Sequence, residues 1–351
     1  MNAALTFLTE NRERLSLDRL GLGAGMSSLV VTPRFRASRH VVTLVLPAGS
    51  AEPALVVKIP RLEGDRTGVA REASNLQAVQ EARPGGFESI PSLVAFEEDR
   101  RLPILVETAL RGRPMNPAWV RRHRAEAVEA ALGLLEALPC STSAVDEESR
   151  WFGRHLEEPL GRFGRFFPAG ADALELARRT LDLVEPLRRA DLPRPFEHGD
   201  LSYPNLLWLG DGRIGVLDWE LADQGGLPLN DLSFFLAYVA FSARRARTLD
   251  AQLAAFREAF LAPEAWGRLT IGRHATRLGI ARPLITPLFV ACWARYTMRL
   301  LARLEGDPVV GENEVPVQRA ESVAWIQGNR YYAMWRDALA FAGKLDSARW
   351  E

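Results

Sequence analysis

Cysteine and net charge are both scarce in this chain of 351 residues. Cys140 and Cys292 are its only cysteines, so neither a disulfide framework nor a cysteine-rich zinc cluster is expected, and a reducing compartment is favoured. The 44 basic residues balance 44 acidic ones, so no net field draws the chain to nucleic acid or to a membrane surface. Residues 1–15 lack the apolar core of a signal peptide. We therefore predict a cytoplasmic protein with no nucleic-acid or membrane partner, and leave its oligomeric state open.

Lysine is also scarce. Of the 44 basic residues, two are lysines, Lys58 and Lys344, and the others are arginines. Lys58 stands in the apolar run Ala54–Pro60. A lysine offers a compact point charge, whereas the planar guanidinium of arginine is bulkier and prefers bidentate partners. A chemical reason for Lys58 is therefore expected. The alternative is a lysine on an edge strand whose ammonium group simply reaches water.

Uninterrupted apolar runs of membrane-spanning length are missing as well. The longest apolar stretch, Leu284–Leu301, contains Arg295 and Arg299. It therefore predicts a buried helix with a paired or functional polar stripe, and not a membrane span.

The order of predicted elements indicates an α+β chain with two lobes, since a single hydrophobic core stops growing at roughly 250–300 residues. Short apolar runs between turn residues predict strands before residue 110, and periodicity predicts one helix at Asp65–Arg83. These strands are Leu22–Val31, His40–Pro47, Ala54–Ile59, Ser92–Glu97 and Leu102–Thr108. Helical periodicity dominates residues 111–351, apart from one predicted hairpin with strands Leu206–Leu209 and Arg213–Leu217. The first predicted helices there are Pro117–Leu138, Trp151–Phe167 and Ala171–Arg189. We predict an N-terminal lobe at 1–110 and a C-terminal lobe at 111–351.

Three side chains with oxygen ligands surround the predicted hairpin: Asp200, Asn205 and Asp218. Phosphoryl transfer requires a carboxylate that accepts the proton of the attacking hydroxyl, and oxygen ligands that hold Mg²⁺ against the phosphates. On this hypothesis Asp200 is the base, and Asn205 and Asp218 bind the metal. The alternative is that all three residues only form turns and helix caps. That alternative leaves unexplained why Asp218 closes the apolar strand Ile214–Leu217.

The same segment resembles the catalytic loop of the protein-kinase-like superfamily, and more closely that of its aminoglycoside phosphotransferase and choline kinase branch. The His-x-Asp-x-x-x-x-Asn pattern matches at His198, Asp200 and Asn205, and the metal-binding Asp of the following strand matches at Asp218. Gly199 stands where regulated protein kinases usually carry Arg, which favours a small-molecule kinase. The resemblance implies a bilobal kinase-like fold, ATP and Mg²⁺ as cofactors, and phosphoryl transfer to a hydroxyl of a small molecule.

A second segment carries the same resemblance. Gly226-Leu-Pro228 and the following Asp231-Leu232 are similar to the Gly-x-Pro-x-x-Asp-Leu segment that these phosphotransferases place after the metal-binding Asp. The resemblance implies that Asp231 caps a helix and braces the catalytic loop, without acting in catalysis.

The superfamily also pairs a strand lysine with a helix glutamate, and the lysine holds the α and β phosphates of the nucleotide. Lys58 and Glu72 suit these roles. Independently, Glu72 lies on the apolar face of its predicted helix, where a carboxylate requires a partner. Lys58 is the candidate partner, and Arg71 or Arg83 is the alternative that would draw Glu72 to the surface.

The glycine-rich segment Gly21–Ser28 is a weaker match, because its glycines do not follow the register of protein kinases. A flexible turn in which Ser27 and Ser28 offer hydroxyl and N–H donors to a phosphate is one hypothesis. An ordinary turn after an N-terminal helix is the other.

Glu107 and Thr108 end the fifth predicted strand just before Gly112. The resemblance implies that this is the hinge, with the backbone of Val106–Ala109 binding adenine. The alternative is a strand end without a ligand.

The charge of the C-terminal helices indicates which kind of molecule accepts the phosphoryl group. Residues 232–303 contain 11 arginines and three acidic residues, which suits a neutral polyol or an anionic acceptor better than a cationic aminoglycoside. Arg295 and Arg299 are candidates for an anion clamp, and a solvated basic face is the alternative. Glu220 and Asp223, just after Asp218, are two carboxylates that would still attract a cationic acceptor, so an aminoglycoside stays an open alternative.

Two other functions stay open at this point. A catalytically inactive kinase-like protein that binds nucleotide and regulates a partner would show the same fold. A protein kinase is disfavoured by Gly199 and by the short span from Asp218 to Asp231, which leaves little room for an activation segment.

Overall fold

The computed structural model describes residues 3–31, 40–61, 66–83, 86–98, 101–141, 150–167, 172–304, 319–347 and 350. They belong to two compact units. The first unit is formed by residues 1–114 and 205–222, and the second by residues 115–204 and 223–351. Within the described ranges, no helix is long and apolar enough to cross a membrane.

The first unit contains a five-stranded antiparallel sheet in the order β1-β2-β3-β5-β4. Its strands are β1 (Met26–Val31), β2 (His40–Pro47), β3 (Leu55–Pro60), β4 (Leu93–Glu97) and β5 (Ile104–Thr108). The predicted first strand is too long at its start. Gly21 and Gly25 have φ values of 75° and 126°, which only glycine adopts readily, so this stretch is a turn and β1 begins at Met26.

Two helices pack on this sheet. Helix α1 (Ala3–Glu10) buries Phe7 and Leu8 in the core that β2, β3 and β5 share. Helix α2 (Arg66–Ala82) buries its predicted apolar stripe, which includes Val69 and Leu76. Asp65, where the sequence predicts the start of that helix, lies outside the described residues.

The predicted hairpin groups with the first unit in space. Strands β9 (Leu206–Gly210) and β10 (Arg213–Val216) form it, and the short strand β6 (Arg113–Pro114) pairs with β9. The Val216 N–H also donates to the Ser89 carbonyl at 2.8 Å. Backbone pairing with residues about 100 positions earlier therefore places the hairpin, and local sequence pattern does not encode such pairing.

The second unit is mostly helical. Its helices are α3 (Pro117–Arg122), α4 (Arg124–Ala137), α5 (Glu158–Phe166), α6 (Asp172–Val184), α7 (Asn230–Arg244), α8 (Leu249–Phe256), α9 (Trp266–Arg277), α10 (Ile285–Leu304), α11 (Arg319–Gln327), α12 (Arg330–Ala340) and α13 (Ala342–Ser347). Strands β7 (Cys140–Ser141) and β8 (Arg194–Pro195) form a small ladder. Aromatic rings of α8 and α10 fill part of the core. The ring centroids of Phe256 and Trp293, for example, are 5.1 Å apart.

Three predicted helices of this unit are interrupted. The helix predicted at 117–138 breaks at His123, whose ψ of 38° is not helical. The one predicted at 151–167 contains a π-helical turn at Gly153–Glu157, with α-helical residues on both sides of it. The one predicted at 171–189 ends as an α-helix at Val184 and continues as a 3₁₀ turn that contains Pro186. Proline explains the third change, since it lacks the N–H that continues an α-helix.

Candidate active site

Lys58 lies at the centre of a buried group of carboxylates in the first unit. Its Nζ is 2.6 Å from Glu72 Oε1 and 3.1 Å from Glu107 Oε1, and all three side chains are buried. Burial alone would lower the pKa of Lys58, but Glu107, Glu72 and Asp218 outweigh it and raise the pKa. The ammonium group therefore stays charged. The predicted pair of Lys58 and Glu72 is present, whereas its function toward phosphate stays a prediction.

Glu72 also connects α2 to the segment after β10. Its Oε1 accepts the Trp219 N–H at 3.0 Å as well as the Lys58 ammonium. One turn further along α2, Asn75 Nδ2 donates to the carbonyls of Trp219 and Ala222 at 2.8 and 3.2 Å. Burial raises the pKa of Glu72 to about 8, although Lys58 opposes this shift. Helix α2 thus fixes both Lys58 and the backbone next to Asp218.

The sequence predicts Glu107 as a hinge residue, but it does not reveal the contact of the Glu107 side chain with Lys58. In the β3–β5 ladder Lys58 pairs with Leu105, and Val56 pairs with Glu107. Positions two apart on a strand share a face, so Glu107 lies on the same face as Lys58. Burial raises the pKa of Glu107. The register of β3 against β5 would have revealed this contact, but a single sequence does not give that register.

Asp218 follows β10 in a left-handed conformation, with φ 67° and ψ 70°. Such a conformation costs about 1–3 kcal/mol in a residue other than glycine, and it concentrates at functional sites. The Leu217 N–H donates to the Asn205 carbonyl at 2.9 Å, which holds Asn205 beside Asp218.

Asn205 and Asp218 fit Mg²⁺ in chemical type, because both offer oxygen ligands. Among the described residues, no group of three or more His, Cys, Asp and Glu side chains could hold a metal by itself. A site with two protein ligands agrees with the preference of Mg²⁺, which usually completes its shell with phosphates and water.

The structure corrects the flexible turn predicted at Ser27 and Ser28, whereas the nucleotide contacts of these serines and of the hinge stay predictions. Ser27 and Ser28 lie within β1 and pair with Leu46 and Val45 of β2, so they are not part of a flexible turn. At the end of β5, the Thr108 N–H donates to the Ser92 carbonyl at 2.9 Å.

The next residue is engaged in the same way, since the Ala109 N–H donates to the Ala54 carbonyl at 3.0 Å. The amide donors of Thr108 and Ala109 are therefore used by the sheet. An adenine contact at Thr108 or Ala109 would have to use the carbonyl group of that residue.

The backbone before Asp200 is braced by Asp231 in the second unit. Asp231 Oδ2 accepts the His198 N–H at 2.6 Å, and Oδ1 accepts the Gly199 N–H at 2.9 Å. Asp231 lies in the first turn of α7, but the N-cap position is Leu229 and no side chain caps the helix. The structure thus contains the bracing contact and contradicts the predicted cap. Burial, together with Glu197, raises the pKa of Asp231 to about 7.

The backbone conformation of residue 199 explains why this position of the loop holds a glycine and not an arginine. Its φ is 84°, a value that a residue with a Cβ rarely adopts. The carbonyl of Gly199 accepts hydrogen bonds from Tyr296 Oη at 3.2 Å and from Arg299 Nη1. Both the N–H and the carbonyl group of Gly199 are therefore held by hydrogen bonds immediately before Asp200. The half-buried Asp200 accepts a weak bond from Ser202 Oγ at 3.4 Å.

Arg295 and Arg299 do form an anion clamp, but its anion is Glu197 of the same chain. Arg295 Nη1 is 2.7 Å from Glu197 Oε2, and Arg299 Nη2 is 3.1 Å from Oε1. Leu227 N–H and Asn230 Nδ2 donate to the same two oxygens at 2.8 and 2.9 Å. Burial would raise the pKa of Glu197, but the two guanidinium groups outweigh it and lower the pKa to about 2. The clamp therefore does not support an anionic acceptor.

A comparison with protein families places the chain by its sequence. Residues 37–270 match the model of the phosphotransferase enzyme family, and this segment is more than half of the chain. The chain belongs to the phosphotransferase enzyme family, which confirms the resemblance and the prediction of a small-molecule kinase. A comparison with curated proteins finds no significant match.

Of the three solved structures reported next, the first shows the same fold. Choline kinase LicA from Streptococcus pneumoniae has a TM-score of 0.51 and 12% identity, over 94% of this chain and 99% of that chain. A thermostable mutant of aminoglycoside phosphotransferase APH(4)-Ia, in complex with ADP and hygromycin B, has a TM-score of 0.49 and 14% identity, over 93% and 98% of the two chains. A glucosamine kinase has a TM-score of 0.43 and 19% identity, over 85% and 82%. The predicted α+β, protein-kinase-like fold is confirmed.

Proposed function

We propose that this protein transfers the γ-phosphoryl group of ATP, in the presence of Mg²⁺, to a hydroxyl of a small sugar-like or anionic molecule. The observation that carries the proposal is the position of Glu72 Oε1, which accepts both the Lys58 ammonium and the Trp219 N–H. One carboxylate oxygen thereby orients the cation proposed for the phosphates and the backbone next to the proposed metal ligand. A site of this kind catalyses mainly by positioning and by electrostatic stabilisation.

Asp200 is the proposed base. Its carboxylate takes the proton as the acceptor oxygen forms its bond to the γ phosphorus, and the bond from phosphorus to the bridging oxygen of ADP breaks. Lys58 holds the α and β phosphates, while Asn205 and Asp218 are the proposed ligands of Mg²⁺. The metal, when bound, neutralises charge that develops on the phosphate oxygens.

Acceptor-dependent release of ADP tests the proposal. The protein is incubated with Mg-ATP and a panel of neutral sugars, sugar acids, sugar phosphates, amino alcohols and aminoglycosides. We expect turnover with at least one acceptor, and an Asp200→Asn decrease of roughly 10²–10⁴-fold in kcat, the usual contribution of a general base.

Asp191→Asn is the matched control, because it makes the same chemical change at an exposed position of the second unit. It should leave kcat unchanged. Asp200→Asn turnover equal to that of the wild type would remove Asp200 from its role. Binding of Mg-ATP without turnover on any acceptor would favour the regulatory alternative.

A further inference from the structure

Arg330 and three tyrosines form a partly exposed group in the second unit, which we call the Arg330 cluster. Arg330 Nη2 donates to Tyr238 Oη at 2.9 Å and to Tyr331 Oη at 3.1 Å. The guanidinium carbon lies 5.4 and 5.0 Å from the centroids of these two rings. Tyr203 completes the cluster, because its ring packs edge-on against Tyr238 at 5.3 Å. All four residues are half-buried.

The cluster reaches the loop of Asp200 by two routes. Tyr203 stands three residues after Asp200 in the chain. On the other side, the Tyr331 ring is 5.6 Å from the Tyr296 ring, and Tyr296 Oη donates to the carbonyl of Gly199. Burial, together with Tyr331 and the charge of Asp200, raises the pKa of Tyr238, so its hydroxyl is neutral. The Arg330 cluster is thus the polar aromatic surface next to the proposed base.

The charge of Arg330 is not balanced by a protein carboxylate among the residues that the structure describes. Its polar partners there are the two tyrosine hydroxyls. Arg295 and Arg299 differ, since they share Glu197. A partly buried guanidinium without a counter-ion is unfavourable, and an anion with oxygen acceptors would relieve that cost. The planar fork of arginine suits carboxylates and phosphates.

We propose that the Arg330 cluster binds the anionic group of the acceptor, so that the substrate is a hydroxylated carboxylate or phosphate monoester. This inference rests on the proposed function. Arg330 supplies the charge, and the hydroxyls of Tyr238 and Tyr331 are the neutral donors or acceptors around it. The half-buried rings of Tyr203 and Tyr238 are the aromatic groups that would pack on the apolar face of a sugar ring. A cationic amino sugar or a quaternary ammonium group is disfavoured here, because it would meet the like charge of Arg330.

Binding of small probes tests the cluster directly. Isothermal titration calorimetry on the full chain compares D-glucuronate, D-glucose 6-phosphate, D-glucose and choline at constant ionic strength. We expect the wild type to prefer at least one anionic probe over glucose and choline. Arg330→Gln should remove that preference and weaken the anion by roughly 10- to 100-fold, as expected for a charge-assisted hydrogen bond. Whether the carboxylate or the phosphate binds tighter distinguishes the two anion types.

Arg336→Gln is the matched control, since Arg336 is exposed on the same helix α12. It should retain the wild-type Kd. Circular dichroism verifies that each variant is folded, and Arg330→Lys, which keeps the charge without the fork, should fall between wild type and Arg330→Gln. Equal affinity of the wild type for anionic and neutral probes would overturn the inference. So would an anion preference that survives in Arg330→Gln.

Turnover separates this inference from the proposed function. Phosphorylation of a neutral or cationic acceptor, unchanged in Arg330→Gln, would refute the Arg330 cluster and leave the phosphotransferase proposal standing. Anion binding that depends on Arg330, without phosphorylation of any anionic acceptor, would support the Arg330 cluster as a binding site and count against the phosphotransferase proposal.

Discussion

Each of the two units buries a charged network, but the two networks have opposite balance. In the first unit one cation, Lys58, lies between two carboxylates, Glu72 and Glu107. In the second unit one carboxylate, Glu197, lies between Arg295 and Arg299. The first network thus has more acidic than basic side chains, and the second has more basic than acidic ones.

Hydrogen bonding also distinguishes the networks. Both oxygens of Glu197 are saturated by the two arginines, Leu227 and Asn230. In contrast, Oε2 of Glu72 and Oε2 of Glu107 have no hydrogen-bond partner within the described part of the chain. Buried polar groups are nearly always satisfied. The saturated network therefore has the character of a structural brace, and the unsaturated one that of a site prepared to exchange contacts with a ligand.

Removing Lys58 should produce the largest effect. Lys58→Met leaves two buried carboxylates without their cation, which costs about 3–5 kcal/mol of unfolding free energy. It should also reduce kcat by about 10²–10³, the scale for loss of one group that stabilises transition-state charge. Urea unfolding and the ADP-release assay measure the two effects.

The double variant Lys58→Met with Glu107→Gln is the control for this change. It should recover part of the stability, because one buried charge is neutralised, but none of the activity. A double variant as active as the wild type would show that Lys58 does not contact the nucleotide.

Breaking the saturated network should affect stability more than nucleotide binding. Glu197→Gln leaves Arg295 and Arg299 without their counter-ion, so we expect a loss of about 3–5 kcal/mol in unfolding free energy. The KM for ATP should stay near the wild-type value. Glu185→Gln is a suitable control, since Glu185 pairs with Arg188 at the surface, where an ion pair contributes about 0–1 kcal/mol. A larger effect of Glu197→Gln on KM than on stability would contradict the structural interpretation.

The smallest effect concerns pH and His155. Burial and Arg295, with a smaller contribution from Arg154, lower its pKa to about 3, although Asp223 and Glu197 oppose them. The unfolded chain binds a proton near pH 6.5 and the folded chain does not, so His155 destabilises the folded state as pH falls from about 6.5 to 3. His155→Gln should remove about 2 kcal/mol of this acid sensitivity at pH 5.

Urea unfolding of wild type and variant between pH 5 and pH 8 measures the His155 effect as a difference. Asp231 acts in the opposite direction in this window, since its raised pKa makes the folded state less stable as pH rises toward about 7. Asp231 is present in both the wild type and His155→Gln, so its effect largely cancels when their unfolding free energies are subtracted. Parallel pH profiles for wild type and His155→Gln would show that folding does not lower the pKa of His155.

Much of the site was predictable from local pattern together with residue type. Lys58 stood out because lysine is rare in this chain, and Glu72 because a carboxylate on the apolar face of a helix requires a partner. The strand before Asp218 was visible as an apolar run. Asp200, Asn205 and Asp218 as catalytic and metal-binding residues stay predictions, as do ATP and Mg²⁺.

What the sequence by itself determined was therefore the set of local elements and the family, since strand alternation, helical periodicity and a short motif are encoded by neighbouring residues. The tertiary structure decided the partners. Arg295 reaches Glu197 across 98 positions of the chain, and Glu107 reaches Lys58 through the register of β3 against β5. The physical reason is that an ion pair depends on distance in space, and one sequence does not specify which distant carboxylate will neutralise a given arginine.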